Sequence, residues 1–295
     1  MALIEEHGGE DKPQLSSYVS SLMDEAKQWE LDTLTGLHSR KYMDNILSEE
    51  LGRYVRDRKS NPKGCLPVTL SVIDLDGFKG VNDTHGHLVG DNVLRDASIH
   101  FLEALDDAEA IRGVFGPLRE GDVVARVGGD EFNFLMPQTS LQGGFHAMEK
   151  VKARIANQND LGGVTVSAGV ASSDIVGIPL LYDRGGRALI RNHAEYKRQN
   201  QGVPDGSGGN GETGSKKYNS MLGIMLDNVY GFMTKLNINP DSVNSDFEKI
   251  AVQLMKHGAD GALYKAKENG RNRVYALGGG GFGTYSGNSW VPSGQ

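Results

Sequence analysis

The residues best suited to chemistry are two adjacent acids, Asp130 and Glu131, that directly follow Gly128 and Gly129. Neighbouring carboxylates repel one another unless a cation or a proton is shared, and a glycine pair permits positive φ at a tight turn and close approach of a bulky ligand. An apolar run, Val123 to Val127, enters this stretch, and an alternating one, Phe132-Asn133-Phe134-Leu135-Met136, leaves it. The pattern predicts a β-hairpin with acid at its tip. Asp and Gly are also ordinary turn residues, so Gly-Gly-Asp taken alone reads more readily as a solvated bend. A third acid, Asp74, ends the run Leu66 to Asp74, whose β-branched, apolar character predicts a central strand buried on both faces. Such a strand delivers its last carboxylate to one edge of the sheet, where it is held rigidly.

The elements that must position these acids follow in order. Asp32-Thr33-Leu34-Thr35-Gly36-Leu37-His38-Ser39-Arg40 carries cap residues ahead of a periodic helix to Tyr54, with Arg56 to Gly64 as a polar loop. After Asp74 comes Leu75-Asp76-Gly77-Phe78-Lys79-Gly80-Val81-Asn82-Asp83-Thr84-His85-Gly86-His87, then Gly90-Asp91 and a helix from Asn92 to about Leu105. Beyond the hairpin, Leu141 to Asn157 reads as a helix and Gly163 to Val170 as a strand. Strand, helix, strand, strand, helix, strand is the split βαβ order of ferredoxin-like and polymerase-palm domains. The expected fold is therefore α+β, a central mixed, largely antiparallel sheet flanked by helices.

Together with Ala259-Asp260-Gly261-Ala262-Leu263-Tyr264-Lys265-Ala266-Lys267-Glu268-Asn269-Gly270-Arg271-Asn272, these segments resemble the GGDEF family, the diguanylate cyclases, in the right order. The resemblance covers residues 32 to 171 and 247 to 277; Ser39 stands where the family usually has Asn. It implies condensation of two GTP into cyclic di-GMP and two pyrophosphates. Attack of a 3′-hydroxyl on an α-phosphorus accumulates negative charge that hard divalent ions relieve, and Mg²⁺ (or Mn²⁺) takes a few carboxylates with phosphates and waters. By resemblance Asp74, Asp130 and the carbonyl of Leu75 are the metal ligands. Glu131 is a candidate general base or second metal contact.

The phosphates need donors. Gly77 and Phe78, in a loop entering a helix, offer backbone N–H groups, and Lys79 adds charge. By resemblance Lys267 and Arg271 reach the triphosphate from the closing helix and turn. Asn82 and Asp91 match the family's guanine-reading pair, an amide and a carboxylate suited to that edge. His87, between them, is counted with the substrate contacts, while Asp76 and Asp83 are expected to be structural. Arg119 and Asp122 match the Arg-x-x-Asp inhibitory motif, which implies a product site for cyclic di-GMP. One GTP per domain makes a homodimer part of the mechanism.

Composition adds bounds. The 295 residues include 31 basic and 38 acidic ones, a net charge of −7 that argues against a nucleic-acid polymer as partner. A single cysteine, Cys65, excludes an intrachain disulfide and fits a cytoplasmic setting. No apolar run has the length of a membrane span, and Met1 to Lys12 lacks the pattern of a secretory signal.

Residues 1–31 are expected to be a tail and an amphipathic helix (Leu15 to Trp29), packed on its own domain or pairing two chains. The family domain spans 32–277. Ser172 to Ser245 reads as an insertion, with a basic helix from Asp183 to Gln199, a Gly/Ser-rich linker and a Met-rich apolar helix from Met221 to Leu236. Residues 278–295 read as a Gly-rich disordered tail. A catalytically silent receptor for GTP or cyclic di-GMP and a cyclase that also accepts ATP are the competing readings. The receptor would ordinarily lose a motif acid, and none is lost.

Overall fold

The computed structural model describes residues 30–62, 64–106, 121–182, 184–199, 221–235, 238, 243–278 and 281–293. The N-terminal amphipathic stretch lies outside them. After the two-residue strand β1 (His38–Ser39), Ser39 caps helix α1 (Arg40–Ser60), its hydroxyl accepting from the Tyr42 N–H at 3.3 Å. Ser does here what Asn does at a helix start. The helix runs past Tyr54 through most of the stretch expected to be a polar loop. Arg56, Asp57, Arg58 and Lys59 extend it on the outside while Tyr54 and Val55 are buried.

Strand β2 (Thr69–Asp76) is buried along almost its whole length. It lies between β4 (Glu131–Met136) and β5 (Thr165–Ser172), antiparallel to both. Strand β3 (Val123–Arg126) pairs antiparallel with β4 and parallel with β1. Strand β6 (Val274–Gly278) pairs parallel with β5. The central order β3-β4-β2-β5 is the ferredoxin-like arrangement. Between β2 and β3 lie α2 (Phe78–His85) and α3 (His87–Asp106); the first of these falls in a stretch where only a loop and a helix start were expected.

The two faces of the sheet are covered by different helices. Helix α4 (Leu141–Ala156) brings Gly144 onto Thr69 and Val170, and Phe101 of α3 meets Phe132 and Phe134 edge-on at 5.0 and 5.5 Å. The long helix α8 (Val243–Glu268) covers the other face, with Ala259 and Leu263 against Gly169. Because side chains alternate along a strand, Val72, Asp74, Glu131 and Asn133 all point to the α8 side.

Within Ser172 to Ser245 the chain forms α5 (Ile178–Tyr182), α6 (Arg184–Gln199) and α7 (Met221–Lys235). Ile178, Leu181, Ile190, Leu226, Val229 and Phe232 join the main core. The apolar helix is thus core packing, and Arg187 of the basic one donates to the carbonyls of Leu181 and Tyr182 at 3.0 and 2.6 Å.

The expectation of a disordered C-terminal tail is corrected. Strands β7 (Gly281–Ser286) and β8 (Ser289–Pro292) form a hairpin that extends the sheet from β6. Phe282 lies over Gly261, Trp290 over Gly278, and Tyr285 packs on Phe145 and Trp290 at 5.2 and 5.1 Å. Two of the segment's own glycines, Gly278 and Gly283, lie under the Trp290 ring, while Phe282 takes its seat on α8 at Gly261. Among the described residues no helix is long and apolar enough to cross a membrane.

Candidate active site

Asp74 stands near the end of β2 in register with Glu131, the first residue of β4, and the Leu75 N–H donates to the Asp130 carbonyl at 3.2 Å. The two strands thus bring Asp74 and Asp130 side by side. Asp74 Oδ2 is 2.7 Å from Lys267 Nζ, with only 14% of the Asp74 side chain exposed. Burial pushes the Asp74 carboxyl above its usual range, Lys267 opposes the shift, and the Asp130 and Asp76 carboxylates add to it. A buried carboxylate beside two others and a single ammonium is short of positive charge, which suits a hard cation. Among the described residues no cluster of three or more His, Cys, Asp or Glu is grouped for a metal. Two carboxylates and a main-chain oxygen at Leu75 fit an ion that keeps several positions for phosphate and water.

The tip that carries Asp130 and Glu131 is braced by residues whose role the sequence did not reveal. Arg126, at the end of β3, donates from Nε and Nη2 to the Gly129 carbonyl at 3.1 and 2.8 Å, and from Nη1 to Asp32 Oδ1 at 3.2 Å. Arg40 donates from Nε to the Val127 carbonyl at 2.6 Å. Asp32 in turn accepts from the Thr35 N–H and hydroxyl at 2.9 and 2.7 Å. Partial burial would raise the Asp32 carboxyl, but Thr35 and Arg126 outweigh it and hold it below the usual range. The stretch from Asp32 to Arg40 therefore fixes the acid-bearing loop as well as starting a helix. An Arg just before the glycine pair and an Asp in the entry stretch were the available signal.

Beyond Asp76 the chain turns at Gly77, whose φ of 82° needs a residue without Cβ, and no side chain caps α2. The first N–H groups of α2 are left for an anion. Phe78 is buried and anchors this turn, while Lys79 is exposed. Asn82, near the end of α2, lies against Gly90, where a Cβ would come 2.0 Å from its Oδ1, and Asp91 follows directly on α3. The turn between the helices thus brings Asn82 and Asp91 together, and His87 is exposed at the first position of α3.

Asp76 proves to be a junction. Its carboxylate accepts from Ser167 Oγ at 2.9 Å, Thr165 Oγ1 at 3.1 Å and the Asn272 N–H at 2.9 Å. It ties β2 and β5 to the closing turn, where Arg271 and Asn272 have φ of 61° and 47°. Arg271 is 3.8 Å from Asp76, and 60% of its side chain is free to reach outward. Asp122 is half-buried just ahead of β3; Arg119 lies outside the described residues.

Between the hairpin and α8 is a cleft of about 350 Å³ lined by Arg40, Glu131, Asn133, Asp260, Tyr264 and Lys267 among others. Among the described residues, none from 172 to 245 lines it, so the inserted helices leave this side of the hairpin clear. Asn133 is buried there with its Oδ1 unpaired.

The family described as "Diguanylate cyclase, GGDEF domain" matches residues 29–177, half of the chain. The diguanylate cyclase DgcP of Pseudomonas aeruginosa is 34% identical over 140 residues, covering 48% of this chain and 18% of that protein. The response regulator PleD of Caulobacter vibrioides is 32% identical over 149 residues, 48% of this chain and 28% of PleD. The chain thus spans less than a third of the length of either relative. Among solved structures, the coiled coil and GGDEF domain of DgcB from Caulobacter crescentus, in complex with c-di-GMP, has the same fold at a TM-score of 0.52. It is 20% identical over 90% of this chain and 95% of that one. With the hairpin acids, the entry stretch and the strand that ends in acid assembled at one edge of a palm-like sheet, the chain belongs to the GGDEF diguanylate cyclase domain family.

Proposed function

We propose that the protein is a diguanylate cyclase that joins two GTP into cyclic di-GMP and two pyrophosphates, Mg²⁺-dependent and acting as a homodimer. The observation that carries this reading is the nearness of Asp74 on β2 to Asp130 at the hairpin tip, with Lys267 across from Asp74. A divalent ion bound by Asp74, Asp130 and the Leu75 carbonyl supplies Lewis-acid stabilisation of the charge that gathers on the phosphate oxygens. The chain's own groups do the remainder. The N–H groups of Gly77 and Phe78, with Lys79, Lys267 and Arg271, hold the triphosphate; Asn82 and Asp91 read the guanine edge, with His87 beside them. Glu131, exposed at the tip, is the base that takes the proton of the attacking 3′-hydroxyl. Each domain presents one such set, so the hydroxyl of one GTP meets the α-phosphorus of the other only when two domains face each other.

Incubation of the purified chain with GTP and Mg²⁺, followed by separation of nucleotides, tests the proposal. Cyclic di-GMP and pyrophosphate are expected, and Asp130→Ala is expected to abolish them. GTP bound without turnover would sink the enzyme reading and leave a receptor, and mixed GTP and ATP in the same assay reads base selectivity. Arg119 and Asp122 are proposed as the product site. Arg119→Ala is expected to raise the half-inhibitory concentration of cyclic di-GMP at least about tenfold, the loss of one charge-assisted phosphate contact. Inhibition that is unchanged in this variant removes the site.

A further inference from the structure

Lys267 and Asp74 each have two claims on them. The ammonium is 2.7 Å from Asp74 Oδ2, yet the proposed chemistry gives that carboxylate to a divalent ion and that ammonium to the triphosphate. The ammonium cannot hold Asp74 and a phosphate at once. A hard ion on either oxygen of the carboxylate, at about 2.0–2.1 Å, would repel an ammonium held on the same group. Lys267 is on the last turn of α8, with a third of its side chain exposed, so its four-carbon stem can swing away without the helix moving.

We infer that Lys267 occupies the cation position of Asp74 until nucleotide arrives, so that the species the site admits is the metal–nucleotide chelate and not the free metal ion. This rests on the cyclase reading of the same residues. The charges decide it. A free divalent ion must evict Lys267 and leaves that ammonium facing a new positive charge with no anion to receive it. The chelate brings both partners together: the acids take the metal, and a phosphate takes Lys267. The groups around Asp74 do not alter the balance. Asp130 and Asp76 are the acids that act on it, Glu131 faces it from β4, and the neighbouring cation Arg271 lies 3.8 Å from Asp76 with most of its side chain in solvent.

The test measures Mn²⁺ binding to the full chain without nucleotide, from the spectroscopic signal of free Mn²⁺, in wild type, Lys267→Met and Lys267→Gln. Loss of the ammonium is expected to tighten Mn²⁺ binding about tenfold in both variants, while a non-hydrolysable GTP analogue with Mn²⁺ binds more weakly by a similar factor. Opposite signs are the signature, and a misfolded variant would weaken both. Mn²⁺ affinity that is unchanged or weaker in the absence of nucleotide overturns the inference and leaves the metal site in place. Adding Asp74→Asn must cancel the gain. Should Mn²⁺ remain as tightly bound in that double variant, the metal is not at Asp74, and the metal-site reading fails together with the inference.

Discussion

Single residues show how burial and charge divide the labour around the hairpin. Asp32 has its carboxyl held below the ordinary value, so its contribution to stability is present above that value and is lost as pH falls through the lower, folded one. Asp32→Asn is expected to lower Tm at neutral pH by about 2–3 °C, since the group is only partly buried and solvent still screens it. The gap between variant and wild type should close only below about pH 4, where the carboxyl of the unfolded chain is already protonated. A gap that persisted into strong acid would show that the Asp32–Arg126 contact is not ionic. Asp260 has the opposite sign. Burial and the Glu131 carboxylate raise its carboxyl, against His257, Lys256 and Lys235. Such a group favours the folded state in acid and costs stability as pH rises through the window above the ordinary carboxylate value. Asp260→Asn is expected to raise Tm by about 2 °C at neutral pH, after allowance for screening, with no difference in strong acid. Thermal melts across pH decide it, and a lower Tm at neutral pH would mean that the neighbouring cations fully compensate the charge.

At the scale of elements, the site depends on how closely α8 lies on the sheet. A Cβ at Gly169 would be 2.1 Å from both the Ala259 carbonyl and the Leu263 nitrogen, backbone atoms that no rotamer change can move aside. Gly169→Ala is therefore expected to cost about 3 kcal/mol and to lift the helix that carries Lys267. Gly144→Ala is the matched control, since its Cβ would meet Thr69 Cγ2 at 2.4 Å on the opposite face, under α4. Denaturant melts should show both destabilised. Turnover per folded molecule should fall, by tenfold or about that, only in Gly169→Ala, because misplacement near the reacting groups is what costs rate. Equal turnover in the two would separate helix position from activity. The same register explains what the sequence disclosed. The apolar run ending in Asp74 and the alternation after Glu131 state two strands plainly, and pairing them puts Asp74 opposite Glu131, with Asp130 next to it. The bond from Arg126 to Gly129 is local, but the Asp32 that holds Arg126 in place is 94 positions away, and the junction at Asp76 reaches Asn272, 196 positions on. No local pattern reports contacts of that range.

For the whole molecule, the segment most at odds with its composition is the C-terminal hairpin. A Gly-rich stretch with few large side chains reads as unable to offset its own ordering. Here it does not have to build a core, because β6 supplies a ready edge and the glycines at 261 and 278 leave flat seats for Phe282 and Trp290. Pairing with an existing sheet satisfies the backbone, and three aromatic rings then cover apolar surface on α8, α4 and β6. Deleting residues 279–295 would leave β6 as an open edge, the kind of surface that pairs with other chains. The expected result is a loss of about 3–5 kcal/mol in denaturant unfolding, from partial burial of those rings, together with concentration-dependent aggregation. Turnover per folded molecule should be retained, since no hairpin residue lines the cleft beside Glu131 or contacts Asp74. A truncated chain with an unchanged unfolding midpoint would mean that the hairpin adds nothing to the fold, and the seats at Gly261 and Gly278 would then need another reason to be glycine.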